Sequence, residues 1–363
     1  MTVSRAVSVN ALARSRLTLL PGSKTMQFRL TGHSFMTFHK ITERWVTMLK
    51  DKGFYRGINL GGWLSQCDYS EDRLNNFITE PDFEKIASWG LDHVRIPVDY
   101  NVLENEDGGY IESGFDRIEN ALGFARKYGL NAIIDLHKTA GFSFDSGEQE
   151  SGFFENEKYQ ERFYRLWEEL AKHFGKYSAN VAFELLNEVT DQGFIDAWNR
   201  ISHECIRRIR TYAPDTLILL GSYWNNSAEA VKDLEKPYDD KVIYNFHCYS
   251  PLEFTHQGAP WVDCIDQDAR FHFEDMEITA EYFEKMFAEA MAKAADNGTT
   301  LYCGEYGVID RAEPEDALKW FKTINSVFEK HKIARAAWSY KEMDFGLSDS
   351  RMDGVREELI KYL

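Results

Sequence analysis

The 363-residue chain lacks any unbroken apolar run of about 18 residues, so it encodes no membrane-spanning helix. It also lacks positive charge, with 42 Lys and Arg against 59 Asp and Glu and a net charge of −17. Such a surface repels phosphate backbones, which argues against a nucleic-acid partner and suits an uncharged substrate. Cysteine is sparse. Cys67, Cys205, Cys248, Cys264 and Cys303 are scattered, odd in number and form no CxxC pair. That pattern argues against a disulfide framework or a zinc knuckle and leaves buried free thiols as the expectation. The turn Gly61-Gly62-Trp63 lacks the GxGxxG spacing of a dinucleotide site, and no HExxH occurs. The first strand closes on Asn59-Leu60-Gly61, without the HxH of metal-dependent hydrolase barrels. Neither a cofactor nor a metal is expected.

What is present is a globular composition, 44% hydrophobic and 14% aromatic, with a core to bury. Residues 1–25 stand apart, holding Arg5, Arg14, Arg16 and Lys24 and no acid. The apolar stretch Leu17–Leu20 is far shorter than a signal-peptide core. This segment reads as an unstructured or leader-like extension, with Met26 or Met36 as alternative starts. Residues 26–363 then form one catalytic domain.

Aliphatic runs alternate with helical patterns from residue 55 onward. The predicted strands are Tyr55–Leu60, His93–Val98, Asn131–Leu136, Val181–Leu186, Thr216–Leu220, Val242–Phe246, Thr300–Cys303 and Ala334–Tyr340. Between Ile111 and Tyr128, Ile111, Phe115, Ile118, Leu122 and Ala125 mark one helical face. Continuous apolar strands signal burial on both faces, as in a parallel sheet. Eight such βα units predict an α/β fold, a single (β/α)8 TIM barrel. One connection is overlong. The roughly thirty residues from Tyr249 to Thr279 hold Phe254, His256, Trp261 and Phe271, and predict a lid or small subdomain after strand six.

In such a barrel the polar residues at the C-terminal strand ends face the active site. Here they are Arg95, His137, Asn187-Glu188, His247 with Tyr249 beyond it, Glu305 and Trp338, from six of the eight strands. Glu188 and Glu305 lie 117 residues apart and only barrel closure brings them together. Paired carboxylates across a cleft are what glycosidic cleavage needs: one protonated to give a proton to the leaving oxygen, one ionised to attack.

The stretches GINLGGW (57–63), HVRIP (93–97), IIDLH (133–137), FELLNE (183–188), NFHCY (245–249), YCGEYG (302–307) and AAWSYK (336–341) resemble glycoside hydrolase family 5, and within it the compact bacterial endoglucanases. FELLNE and CGEYG together are the specific part. The resemblance implies a retaining glycosidase with Glu188 as acid/base and Glu305 as nucleophile. It also implies Asn187 at the sugar 2-hydroxyl, Arg95 and Tyr249 beside the nucleophile, His137 and His247 flanking the cleavage subsite, and Trp338 under the sugar ring. The sequence departs from many relatives at His137-Lys138, where a second histidine is usual, so Lys138 either meets a hydroxyl or is solvated. Retention sets an expected carboxyl separation of about 5–5.5 Å.

Aromatic rings stack on apolar sugar faces. Trp63, Trp224 and Trp261 fall in predicted rim loops and are subsite candidates; Trp89, Trp167, Trp198 and Trp320 fall in helices and read as core, and Trp45 as packing before the barrel. The function expected is endo-β-1,4-glucan hydrolysis by a secreted or cell-associated monomer. The alternatives are a β-mannanase or glucomannanase, an exo-β-1,3-glucanase, and a non-catalytic carbohydrate-binding protein. With no Ser/Pro-rich linker or appended binding module in these residues, soluble glucans or oligosaccharides are expected to serve better than crystalline cellulose.

Overall fold

The structure, a computed structural model, describes residues 49–145 and 150–363. The extension expected over residues 1–25, and Trp45, lie outside the described residues. Within them, eight parallel strands close into a barrel in chain order: β1 (Arg56–Asn59), β2 (His93–Asp99), β3 (Asn131–Lys138), β4 (Val181–Glu184), β5 (Ile218–Leu220), β6 (Val242–Cys248), β7 (Leu301–Tyr306) and β8 (Ala334–Ala337), with β8 pairing back to β1. An outer layer carries α1 (Glu80–Ser88), α2 (Glu112–Lys127), α3 (Glu157–Phe174), α4 (Ile195–Ile209), α5 (Ala280–Asp296) and α6 (Pro314–His331). After β5 a short 3-10 segment, Ala228–Asp233, stands in for a helix. The fold is the (β/α)8 barrel that the alternation predicts. No described helix is long and apolar enough to cross a membrane. All five cysteines are free; three are buried, Cys67 is half-buried, and Cys264 is exposed, contrary to the expectation of burial.

The helices present one apolar stripe each. In α3, Phe163, Leu166, Trp167, Leu170 and Phe174 face the sheet at helical spacing, and the Asn156 side chain caps its start by accepting from the Lys158 amide. Trp89, Trp167, Trp198 and Trp320 are buried, as their helical positions predict.

The strands sort their side chains by parity, because successive residues point to opposite faces. One set, including Val94, Ile134, Phe183, Ile218 and Phe246, packs outward against the helices. The other set fills the barrel. Its floor is apolar, built from Phe54, Ile133, Ala182, Leu219, Ile243, Tyr302 and Ala336. Two residues further along the strands the filling turns polar, with Arg95, Asp135, Glu184 and Asn245 all buried.

Strand ends differ from the sequence reading in ways that matter for the site. β4 stops at Glu184, so Asn187 and Glu188 lie beyond it, and the Asn187 amide is tied to the Leu136 carbonyl at 3.0 Å. β8 stops at Ala337, leaving Trp338 just past its end. β7 runs on to Tyr306 and contains an irregularity: Phe246 pairs with Cys303, yet His247 pairs with Glu305. Gly304 is therefore an extra residue, a bulge. The bulge reverses the parity of β7, so Tyr302 and Glu305 both face the barrel interior, while Tyr306 packs outward with the helices. Without it, Glu305 would point into the helix layer.

The long connection after β6 is packed in its first part, up to residue 259, and largely exposed over residues 260–277. Phe254 and Ala259 are buried in it. The Gln257 side chain ties it together, donating to the Phe254 and Phe271 carbonyls and accepting from the Phe271 amide.

A Cβ at Gly304 would sit 2.7 Å from the Asn245 amide and 2.9 Å from His247 Nε2, closer than packed atoms allow. Gly304→Ala is expected to lower unfolding free energy by about 1–3 kcal/mol, the usual range for forced overpacking. Denaturant unfolding checks it; an unchanged midpoint would show that the bulge does not need glycine.

Candidate active site

The polar layer is organised by one guanidinium. Arg95 is fully buried and uses all five of its donors. Nε and Nη2 grip Glu184 at 2.7 and 2.8 Å, Nη1 donates to Asn59 Oδ1 at 2.9 Å and to Glu305 Oε1 at 2.7 Å, and Nη2 also donates to Asn187 Oδ1 at 2.8 Å. Asp135 Oδ2 lies 3.0 Å away as a third carboxylate. One cation facing three buried carboxyls cannot hold all three ionised. Asp135 is the group that keeps its proton most readily: burial pushes it up to about 7, and its Oδ1 has no hydrogen-bond partner.

Above this layer lie Glu188 and Glu305. Glu305 Oε2 accepts the Tyr249 hydroxyl at 2.9 Å while Oε1 takes Arg95. Glu188 meets different partners. His247 Nδ1 stands 2.8 Å from Oε1, and Asn225 Nδ2 donates to Oε2 at 2.9 Å. One oxygen of each carboxyl and a nitrogen of His247 all lie within 4.8 Å of one another. Burial pushes both carboxyls above the ordinary glutamate range. Against it, Glu305 has the Arg95 guanidinium and the Tyr249 hydroxyl in direct contact, whereas Glu188 has chiefly the neutral Asn225 amide. The environment therefore favours a charged Glu305 and a protonated Glu188.

Burial pushes His247 down to about 4 and lowers His137 as well, so both are neutral at ordinary pH. His137 Nδ1 lies 2.6 Å from Asp135 Oδ2; its ring runs parallel to Trp338 at 5.8 Å between centroids, and Phe144 meets it edge-on at 4.9 Å. Asn187 turns its oxygen to Arg95 and leaves Nδ2 buried without a partner, a donor available to a ligand hydroxyl. Glu188, His247 and Glu305 are close enough to hold a cation. The Arg95 and Tyr249 hydrogen bonds already occupy Glu305, however, and His247 Nδ1 turns its hydrogen-bonding edge to Glu188, so the set is built as a hydrogen-bonded network.

Arg95, His137, Asn187, Glu188, His247, Tyr249, Glu305 and Trp338 are thus brought together at one end of the barrel. Trp224 is on the rim beside Asn225, about one-third exposed. Trp261, half-exposed, sits in the long connection next to Val262, which packs in the cluster around Trp338. Trp63 is a correction. Its indole is buried in the core and donates to the Leu74 carbonyl at 2.9 Å, leaving no ring face for a sugar. Lys138 is also not solvated; it is buried near Asp99 and the Tyr69 ring. Sequence reasoning passed over Asn59, Asp135, Glu184, Asn225 and Asn245. Asp135 and Asn245 each stand two residues before a strand-end histidine, and that period-2 spacing is a signal that could have found them.

A barrel whose mouth presents two close carboxyls, one bonded to a guanidinium and one to neutral groups, beside an exposed aromatic rim has the arrangement of a glycoside hydrolase. Residues 44–344 match the model of the cellulase family, glycosyl hydrolase family 5, and the chain belongs to that family. It is 60% identical over 288 residues to cellodextrinase A of Ruminococcus flavefaciens, covering 79% of this chain and 86% of that protein. Endoglucanase C of Acetivibrio thermocellus is 34% identical over 337 residues, 85% of this chain and 98% of that one. Among solved structures, endoglucanase Cel5A of Thermotoga maritima superposes with a TM-score of 0.74 at 25% identity, over 89% of this chain and 99% of that one; one of its structures holds mannotriose.

Two expectations follow. Glu184→Gln leaves the buried guanidinium short of its bidentate partner and should lower stability by about 3–5 kcal/mol, read by denaturant unfolding. The second concerns pH. His247 protonates near 6.5 when unfolded but only near 4 in the fold, so it withdraws stability as pH falls from 6.5 towards 4 and has no effect above that window. Relative to His247→Gln, the wild type should lose up to roughly 3 kcal/mol across it. A constant difference would mean that His247 is charged in the folded protein.

Proposed function

We propose that the protein is a retaining β-1,4-glucanase that cleaves soluble β-glucan chains and cello-oligosaccharides through a covalent glycosyl-enzyme. The observation that carries this reading is the approach of Glu188 and Glu305 to within 4.8 Å, oxygen to oxygen. It fits the roughly 5–5.5 Å of retaining pairs and falls well short of the roughly 6.5–9.5 Å that leaves room for water in inverting ones. In the first step a Glu305 oxygen attacks the anomeric carbon, the carbon–oxygen bond to the leaving sugar breaks, and Glu188 passes its proton to that oxygen. In the second step Glu188, now ionised, takes a proton from water, whose oxygen displaces Glu305 and frees the sugar with its original configuration. Asn187 Nδ2 supports the 2-hydroxyl, and Trp338 backs the ring.

The substrate assignment is supported by the relatives named cellodextrinase and endoglucanase. A mannan-acting reading is favoured by the mannotriose held by the Thermotoga protein.

Proton NMR of cellotetraose hydrolysis should show the β-anomer first; initial α-product would remove the retaining mechanism. Glu305→Gln and Glu188→Gln should each lower kcat on cellotetraose by at least about 10³-fold. With a dinitrophenyl cellobioside, whose leaving group needs no acid, only Glu188→Gln should keep a fast first step and recover turnover on adding azide. Azide rescue of Glu305→Gln with the same product would reverse the two roles. A panel of carboxymethylcellulose, barley β-glucan, glucomannan, mannan and laminarin should rank the glucans with β-1,4 bonds first.

A further inference from the structure

Three consecutive non-glycine residues in the rim loop after β5, Trp224, Asn225 and Asn226, have φ of +50°, +55° and +56°. Left-handed backbone is disfavoured for L-residues and is met singly, chiefly at Asn, so a run of three is held by its surroundings. What holds it is the segment that carries Glu188. The Asn225 amide donates to the carbonyl of Val189, the residue after Glu188, at 2.9 Å. The Asn225 side chain then donates to Glu188 Oε2 at 2.9 Å. Asn226 is buried, with Nδ2 3.5 Å from His247 Nε2, and the other nitrogen of that ring sits on Glu188 Oε1. The same turn therefore reaches both oxygens of one carboxyl, Oε2 directly and Oε1 through His247.

We propose that the turn Trp224–Asn226 is a positioning device for Glu188, with Asn225 as the residue that fixes its outer oxygen and decides how firmly that carboxyl keeps its proton. The inference rests on the acid/base role given to Glu188 above. His247, on a buried strand, occupies Oε1 from within the barrel, which leaves Oε2 as the oxygen towards the exposed Asn225 and the cleft. An N–H donor there stabilises the ionised form, opposing the burial that favours the protonated one. This balance suits a group that must give a proton in one step and take one in the next. The other groups facing Glu188 are Arg95 from β2, Asp135 and His137 from β3, His247 from β6, Tyr249 beyond it, and Glu305 from β7. Asn225 is the uncharged contact among them that arrives from the rim.

The test is the pH dependence of kcat/KM on cellotetraose for Asn225→Gly and Asn225→Asp. Glycine accepts the left-handed backbone freely and removes only the side chain; aspartate keeps the turn and places a like charge on Oε2. The alkaline limb, which reports Glu188 losing its proton, should rise by about half to one pH unit in Asn225→Gly and by about one to two in Asn225→Asp. The acid limb, which reports Glu305, should stay in place. A merely structural turn would change Tm and kcat and leave the limb where it was, so an unmoved alkaline limb in either folded variant overturns the proposal. Glu188→Gln separates this failure from failure of the underlying reading. If its residual activity keeps the wild-type alkaline limb, Glu188 is not the acid. If that limb vanishes while the Asn225 variants leave it unmoved in the wild-type background, only the role of Asn225 is lost.

Discussion

The constraint on which the rest of the structure depends is the burial of a single guanidinium in the middle of the barrel. A charge taken out of water is stable only when every donor is satisfied, and breaking any one of its ion pairs costs several kcal/mol. Arg95 meets that condition with groups from four other strands or their ends: Asn59 from β1, Asp135 from β3, Glu184 and Asn187 from β4 and just beyond it, and Glu305 from β7. None of these can move without leaving a buried charge or amide unpaired. The strand ends are thereby locked to one another at the level where the apolar floor stops. The two outer carboxyls inherit that rigidity, since Glu305 is bonded to Arg95 directly and Glu188 follows Asn187 in the chain. Precise placement of reacting groups on a stiff scaffold is what catalysis by orientation requires.

The same cation breaks the symmetry between the two carboxyls. Like charges at this distance cannot both ionise easily, so whichever has the better counter-charge keeps its negative charge and raises the proton affinity of the other. Glu305 has the guanidinium and a phenol; Glu188 has a neutral imidazole and an amide. The asymmetry on which the proposed division of labour rests is thus set beneath the site, by the buried Arg95.

Much of this was legible in the sequence because it is periodic. The alternation of aliphatic runs with helical patterns gave eight strands in the right order, and residues at strand ends gave the eight side chains that converge. Features that depend on contacts across the fold were not legible. Trp63 looked like a rim residue because it follows a double glycine, yet its indole finds the Leu74 carbonyl and sinks into the core. Glu184 sits in the quoted FELLNE stretch, but nothing in a linear string says that its partner is Arg95, 89 positions away. Asn225 falls in a loop whose left-handed backbone no composition rule predicts.

Two of the places where local regularity fails flank the two carboxyls; others are the left-handed run Glu342, Met343 and Asp344 and the register shift of β2 at Val98/Asp99. On β7 an extra glycine breaks the pairing with β6 and turns Glu305 from the helix side to the interior. Asn59, itself a partner of Arg95, fastens that bulge by donating to the Gly304 carbonyl at 2.9 Å. After β5, three left-handed residues bring an amide onto Glu188. A regular strand and a relaxed loop would each be more stable locally, so both irregularities persist only because the surrounding bonds over-determine them. A barrel built only to fold needs neither. That both coincide with the carboxyl pair is an argument for function independent of any similarity to other chains, because departures from local preference concentrate where a sequence serves a site in addition to its fold.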